Sequence, residues 1–464
     1  MADFYTWAPK IVTLMFVFAF GACVGSLINV LVYRLPRGIG VVRPSSRCPT
    51  CQTKLTWREN IPILGWVLLR GKCRFCGCRI SPEYPIVELV VAVLFAGLYA
   101  LWYIVPGSAE FWGQIKPEWA RSDEIYSLPT LTWPAFVVLV TLVGSLVAMT
   151  LVDAKTFTIP LVLTWVPAAA GLLIHPLHAF WFEHAHGVMT QASPGLWRSP
   201  DGTWWDSAPG WQWTIPTPLA MEWRWVGGAI GGGLGLILSN VLLRVGLIRR
   251  SFEDYEEWEA GVLDKQRGGA PAATDVPIGG EASETVEHAE EAPGGADLWI
   301  QYPHARREMV REMAFLAPPV AFAFVGAWLL NPAGGPLAQA GAAPLWVRVL
   351  AGALLGYLVG GGIVWAVRVL GSLAFGKEAM GLGDVHLMAA VGACLGWIDA
   401  TVAFFGAAFV GLAWAMLGRL AGGKMQRAMP YGPFLAVSTL LVIIAKPGVE
   451  ALLSLLLRMP INIP

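Results

Sequence analysis

Charge is scarce in this sequence. Asp, Glu, Lys and Arg make up only 14% of its 464 residues, where a soluble domain carries about 25%. With 56% hydrophobic content and a mean hydropathy of +0.57, the chain reads as a polytopic membrane protein. Nowhere do basic and aromatic residues interleave along a folded surface, which excludes a nucleic-acid partner. The glycine-rich stretches lie mid-membrane without a strand-turn-helix context, so no phosphate-cradling loop is expected. The first apolar segment, roughly Ile11 to Val32, is too long for a secretory leader and no small-x-small cleavage site follows it. It is expected to remain as a transmembrane helix.

The charges that are present are segregated. Arg34 to Arg79 holds ten Lys/Arg and one acidic residue, Glu59, and the positive-inside rule places this block in the cytoplasm. Phe252 to Asp297 is predominantly acidic with Pro/Gly-rich stretches, the composition of a solvated linker. Apolar runs of membrane-spanning length fall near 11–32, 86–105, 134–152, 161–179, 225–247, 313–331, 346–369, 385–397, 401–419 and 431–455. Threading ten spans with the basic loop inside puts the N-terminus outside. Arg249, Arg250, Arg306, Arg307, Lys377, Lys424 and Arg427 then fall inside. Small residues at four-residue spacing, Gly352, Gly356 and Gly360, and again Gly227 to Gly235, predict closely approaching helix backbones. A tryptophan-dense segment at 180–225 reads as an extracytoplasmic loop at the bilayer surface.

The fold class expected is an all-α polytopic membrane protein with about eight to ten transmembrane helices and a small cytoplasmic tetracysteine loop, zinc-ribbon-like. The divisions are a first helix at 1–33, the cysteine loop at 34–85, membrane helices at 86–248, an acidic cytoplasmic linker at 249–312, and membrane helices at 313–464.

Two aspartates stand at the ends of apolar segments. Asp153 precedes Ala154-Lys155-Thr156-Phe157-Thr158-Ile159-Pro160, and Asp384 closes Gly381-Leu382-Gly383-Asp384. A carboxylate at a helix centre costs roughly 2.5–3.5 kcal/mol on insertion scales and is kept mainly for function. The same topology puts both on the cytoplasmic side. Two carboxylates brought together can share a proton and activate a water against a peptide bond, which predicts an aspartyl endopeptidase. As general base and general acid the pair is coupled, so sequence assigns neither role to either residue. Gly381 and Gly383 would let an extended substrate backbone approach closely.

Cys48-Pro49-Thr50-Cys51 and Cys73-Arg74-Phe75-Cys76 are two CxxC turns. Each aims two thiolates at one centre, and together Cys48, Cys51, Cys73 and Cys76 suit a structural tetrahedral zinc. A cytoplasmic loop keeps its thiols reduced, against disulfide pairing. Cys78 is a fifth thiol able to compete as a ligand.

The motifs in order resemble the type 4 prepilin leader peptidase/N-methyltransferase family. They run from Gly25-Ser26-Leu27-Ile28-Asn29-Val30 and Tyr33-Arg34-Leu35-Pro36 through both CxxC pairs, Asn60-Ile61-Pro62 and Tyr84-Pro85-Ile86-Val87-Glu88. The two aspartate motifs and Tyr431-Gly432-Pro433-Phe434 complete the set. His386 departs from the family's usual lysine, and the acidic linker and tryptophan loop are insertions. The resemblance implies a bacterial inner-membrane enzyme that cuts prepilins or type II secretion pseudopilins after the Gly ending a basic leader. It also implies N-methylation of the new terminus with S-adenosylmethionine, for which no binding residues are recognisable. Two alternatives stand beside it: a peptidase without methylation, and an ion-coupled transporter or scaffold with a zinc-stabilised loop.

Overall fold

The computed structural model describes residues 2–48, 50–105, 129–187, 190–193, 196–198, 200, 204–206, 222–252, 258, 304–339, 341, 343–376, 378–420 and 430–459. Most of the acidic linker, much of the tryptophan-rich loop, and Lys377, Lys424 and Arg427 lie outside them.

Twelve α-helices are described in chain order: α1 Ala2–Arg34, α2 Leu64–Leu68, α3 Glu83–Tyr99, α4 Pro129–Thr156, α5 Leu161–His186, α6 Glu222–Arg244, α7 Ala305–Leu329, α8 Leu345–Phe375, α9 Leu382–Leu395, α10 Trp397–Leu420, α11 Gly432–Ile444 and α12 Lys446–Leu457. A π-helical turn, Ala100–Ile104, extends α3. Three short strands, β1 Thr190–Ser193, β2 Leu196–Arg198 and β3 Trp204–Asp206, form an antiparallel sheet in that order, with Trp197 in register with Trp205. The expected 180–225 loop is shortened at both ends, because α5 continues to His186 and α6 begins at Glu222.

Eight helices among the described residues are long and apolar enough to cross a membrane, and nine spans result if the bent α11–α12 pair counts as one. The ten-span count needs two corrections. The eighth expected span is the 14-residue α9, which rises only about 21 Å against a hydrocarbon core of about 30 Å. It is cut off from α10 at Gly396, whose φ of 95° no helix accommodates. The last span breaks at Ala445, where α12 turns through 101° from α11. Pro447, in the first turn of α12, is tolerated there because its missing N–H has no helical partner to lose. Asp399 of α10 and Lys446 of α12 are both buried.

The glycine stripes lie where helices meet. A Cβ on Gly356 of α8 would strike the carbonyl oxygen of Gly392 on α9, and the converse holds for Gly392. Gly227 of α6 and Gly326 of α7 stand in the same relation. Without a hydrophobic driving force between helices in lipid, such backbone contact supplies the packing attraction. The main core gathers α3, α4, α8, α9, α10 and α11 around Val91, Phe95, Leu142, Leu146, Met149, Leu387, Met388 and Leu435. This packing fixes the helix ends from which the candidate site is built.

Candidate active site and metal centre

Asp153 sits in the last turn of α4. The helix stops four residues later because Phe157 adopts φ 54° while its N–H still bonds the Asp153 carbonyl at 2.9 Å. The chain then runs through Ile159-Pro160 into α5. Asp384 lies in the first turn of α9, whose N-cap is Gly381, and its N–H bonds the Gly381 carbonyl at 3.2 Å. In that first turn a carboxylate is favoured by the unpaired helix N–H groups.

These two turns converge. Both carboxylates are buried, and the charge of Asp153 acts on Asp384. Ile159 packs over Gly383, where an added Cβ would come within 2.9 Å of the Ile159 Cβ. Tyr431 and Gly432, opening α11, form a third wall. The Gly432 backbone hydrogen-bonds the Asp153 carboxylate, a Cβ on Gly432 would collide with that carboxylate, and the Tyr431 phenol senses the charge of Asp384. Segments more than 200 residues apart in sequence thus surround two acids. The structure brings Asp153, Asp384 and Gly383 together with Ile159 and Gly432. Gly381 lies beside the Asp384 carboxylate, 3.5 Å from where its Cβ would be.

A buried ionic network braces the loop before Asp384; the place of Glu378 near a span end suggests a structural ion pair, while Arg368 and Glu312 carry no such sequence reading. Arg368 of α8 is 2% exposed and pairs with Glu312 of α7, Nη2 to Oε1 at 2.9 Å. Its Nη1 donates to the Glu378 carboxylate and the Met380 carbonyl. Trp365 Nε1 donates to Glu312 at 2.7 Å, and the Ala379 N–H bonds Ser372 Oγ at 3.0 Å. One guanidinium therefore ties α7 and α8 to the Glu378–Met380 loop. An arginine two turns inside an apolar helix was the available signal. Its partners, 56 and 10 residues away, were not readable. Glu88 behaves differently: it accepts the Ile63 N–H at 2.6 Å and meets Ser26, joining α1, α3 and the cysteine loop. His386 lies on the other side of α9, lining a cavity of about 1120 Å³ between α6, α7 and α8.

The cysteine loop is two small hairpins, closed by the antiparallel bridges Arg47–Lys54 and Lys72–Arg79. The Thr56 hydroxyl, and after it Arg74, paired with Glu59 at 3.0 Å, hold the Glu59 carboxyl down at about 2. The Sγ atoms of Cys48, Cys73, Cys76 and Cys78 all lie within 4.8 Å of one another, a grouping able to hold a metal ion. Cys78 joins three of the four expected ligands in this group, and Cys51 meets the Cys48 and Cys76 side chains beside it. The CxxC pattern weighs only spacing along each turn, whereas the chain after Cys76 folds back and returns Cys78 to the same centre.

Two segments of the chain match known families. Residues 19–102 match the Bacterial Peptidase A24 N-terminal domain, and residues 319–416 match the Type IV leader peptidase family. The first match contains the cysteine loop and the second contains Asp384, while Asp153 lies between them. A prepilin leader peptidase/N-methyltransferase of Myxococcus xanthus is 52% identical over 81 residues, 18% of this chain and 24% of that protein. One from Klebsiella pneumoniae is 42% identical over 98 residues, 20% of this chain and 42% of the relative. The Aeromonas hydrophila protein of that name is 31% identical over 188 residues, 35% of this chain and 55% of the relative. The chain thus spans about a quarter to about half of the length of these relatives. No solved structure matches it. Two matched domains in the order the motifs require, with Asp153 between them, make this chain similar to the type IV leader peptidases over the matched segments.

Proposed function

We propose that the chain is a multi-pass enzyme of the bacterial inner membrane that cleaves the basic leader of prepilins or pseudopilins at the cytoplasmic face. The observation that carries this reading is the meeting of Asp153 and Asp384 at one end of the bundle, walled by Ile159, Gly383 and Gly432. One carboxylate, ionised, takes a proton from a water held between them. The other, protonated, gives one to the leaving amine, and the pair ends with its single shared proton exchanged between partners. Gly432 fixes Asp153 by its backbone, and Gly383 lets Ile159 pack against the turn that carries Asp384. The basic loop at 34–79, facing the cytoplasm by its charge, sets the orientation.

Methylation of the new N-terminus with S-adenosylmethionine belongs to the proposal through the names of the relatives, and no residue here is assigned to it. The cysteine cluster fits a zinc ion by its donor set, four sulfurs converging on one centre, and the ion supplies structural cross-linking there, because four thiolates leave no open position for water. Purified protein incubated with a leader-bearing prepilin and labelled S-adenosylmethionine tests both activities. Shortened prepilin carrying label is the expected product. Shortened prepilin without label leaves a peptidase alone, and uncut prepilin overturns the reading.

A further inference from the structure

Behind α9, on the His386 side and away from the aspartates, lies the cavity of about 1120 Å³. It exceeds the roughly 300–1,000 Å³ of a small-molecule pocket. One side is α6 and α7, packed together where Gly231 and Gly235 meet the Phe322 and Pro318 carbonyls. Leu161 and Trp165 of α5, Leu382 and His386 of α9, and Gly362 of α8 line it too. A Cβ on Gly362 would meet no neighbouring atom within 4 Å, so the α8 backbone itself opens onto the cavity. Most of the lining is apolar. Trp165, Val320 and Phe324 are exposed on membrane-length helices, where acyl chains are the surrounding solvent.

The basic charge gathers at one end. The chain leaving α6 turns at Gly246, with φ 82°, and brings Ile248, Arg249, Arg250 and Ser251 to the cavity. The Phe252 N–H then bonds Glu308 Oε2 of α7 at 2.8 Å, which anchors this crossing segment. Arg311 lines the same end and is committed to Glu308 at 2.8 Å. Arg249 and Arg250 are exposed, and among the described residues neither has an ion-pair partner. The neighbouring Glu312 holds Arg368, which reaches the Met380 carbonyl, so this is the end of the bundle that carries Asp384. An apolar slot headed by two guanidiniums complements acyl chains joined to a phosphate. A prepilin fits it poorly, because Arg249 and Arg250 repel a basic leader. Its scissile bond must also reach Asp384, two residues and about 200° round the helix from His386.

We propose that this groove binds an anionic phospholipid, with its phosphate at Arg249 and Arg250 and its acyl chains along α6, α7 and α8. The proposal goes beyond the peptidase reading and needs only the membrane embedding of the helices. The lipid fills the side of α9 opposite the aspartates.

The test places the full-length protein in phosphatidylcholine nanodiscs with a trace of phosphatidylglycerol bearing a diazirine in one acyl chain. Phosphatidylcholine with the same modified chain runs in parallel. On illumination the diazirine loses nitrogen, and the carbene inserts into a neighbouring C–H bond. Peptide mass spectrometry reads the marked residues. Groove-lining peptides of α6, α7 and α8 are expected to label at least about fivefold more with the phosphatidylglycerol probe, the discrimination of one basic residue near the membrane surface. Replacing both arginines, Arg249→Gln with Arg250→Gln, should remove that excess. Gly362→Phe, which fills the groove, should lower labelling by both probes. Equal labelling by the two probes in the wild type overturns the proposal without any variant. It would mean boundary lipid, with Arg249 and Arg250 answered by Glu253 and Asp254 that follow them in sequence. An excess that survives the double arginine replacement, or labelling unchanged in Gly362→Phe, also overturns it. Displacement of the label by an added leader-bearing prepilin would give the groove to the substrate helix, and the lipid assignment would be wrong.

Discussion

The cysteine loop and the aspartate site are built on opposite plans. The loop closes on itself within about thirty residues, through two hairpin turns and converging sulfurs. The aspartate site draws residues 153, 159, 383, 384, 431 and 432 from four helix ends and has no local glue of its own. On the proposed reading, the small cysteine loop owes its fold to a bound metal. The aspartates owe their meeting to helix packing and to Arg368. Damage to one centre should therefore spare the other, and the two should fail under different treatments.

The largest effect expected is on cleavage. Asp153→Asn and Asp384→Asn should each lower leader cleavage by at least about 100-fold, the lower range for a lost general acid or base, with bound metal unchanged. Metal analysis alongside a prepilin-cleavage assay checks both halves. Loss of metal in either variant would join two centres that the fold keeps apart.

Next comes the brace. Arg368→Leu strands the buried Glu312 carboxylate beneath the Glu378–Met380 loop. Breaking one partner of a buried pair costs about 3–5 kcal/mol, so thermal unfolding in detergent should shift sharply downward. Cleavage should fall with it while zinc stays bound. A variant as stable as wild type would remove Arg368 from the support of the site.

Chelation should act on the other side of the comparison. Hydrogen exchange is expected to speed up across the loop from Ser46 to Ile80, whose turns depend on the metal. Peptides covering α9 and α11 should keep their protection. Exchange spreading into α9 would show the loop and the bundle to be one cooperative unit.

The smallest effect belongs to the Lys155–Glu83 ion pair, which bridges α4 and α3 next to the aspartates with both side chains half in water. Exposed pairs contribute about 0–1 kcal/mol, so Glu83→Gln should leave the melting temperature nearly unchanged. A large drop would mean that this contact carries packing that its exposure does not suggest.

The same contrast explains what the sequence revealed. Apolar runs, the basic loop, the CxxC turns and the two aspartates are local patterns, and each appears where its pattern put it. Span count was less legible, because hydropathy measures composition and is blind to the φ of Gly396 that ends α9 and to the bend after Ile444. The Arg368 network escaped because its partners come from α7 and from the loop after α8. Gly432 was quoted as part of a motif, yet its contact with Asp153 exists only after α11 packs against α4. Cys78 was visible as a spare thiol. Its place among the sulfurs follows from the return of the chain after Gly77, which spacing alone does not encode.

The account rests on Asp153 and Asp384 working as one unit around a single water. Residues that act together lose activity non-additively. The direct measurement is residual cleavage of one prepilin by Asp153→Asn, Asp384→Asn and the double variant, compared with wild type. The double variant is expected to be no slower than the worse single variant. A double variant slower by the product of the two single losses would mean two independent contributions, and the shared-water dyad would be wrong.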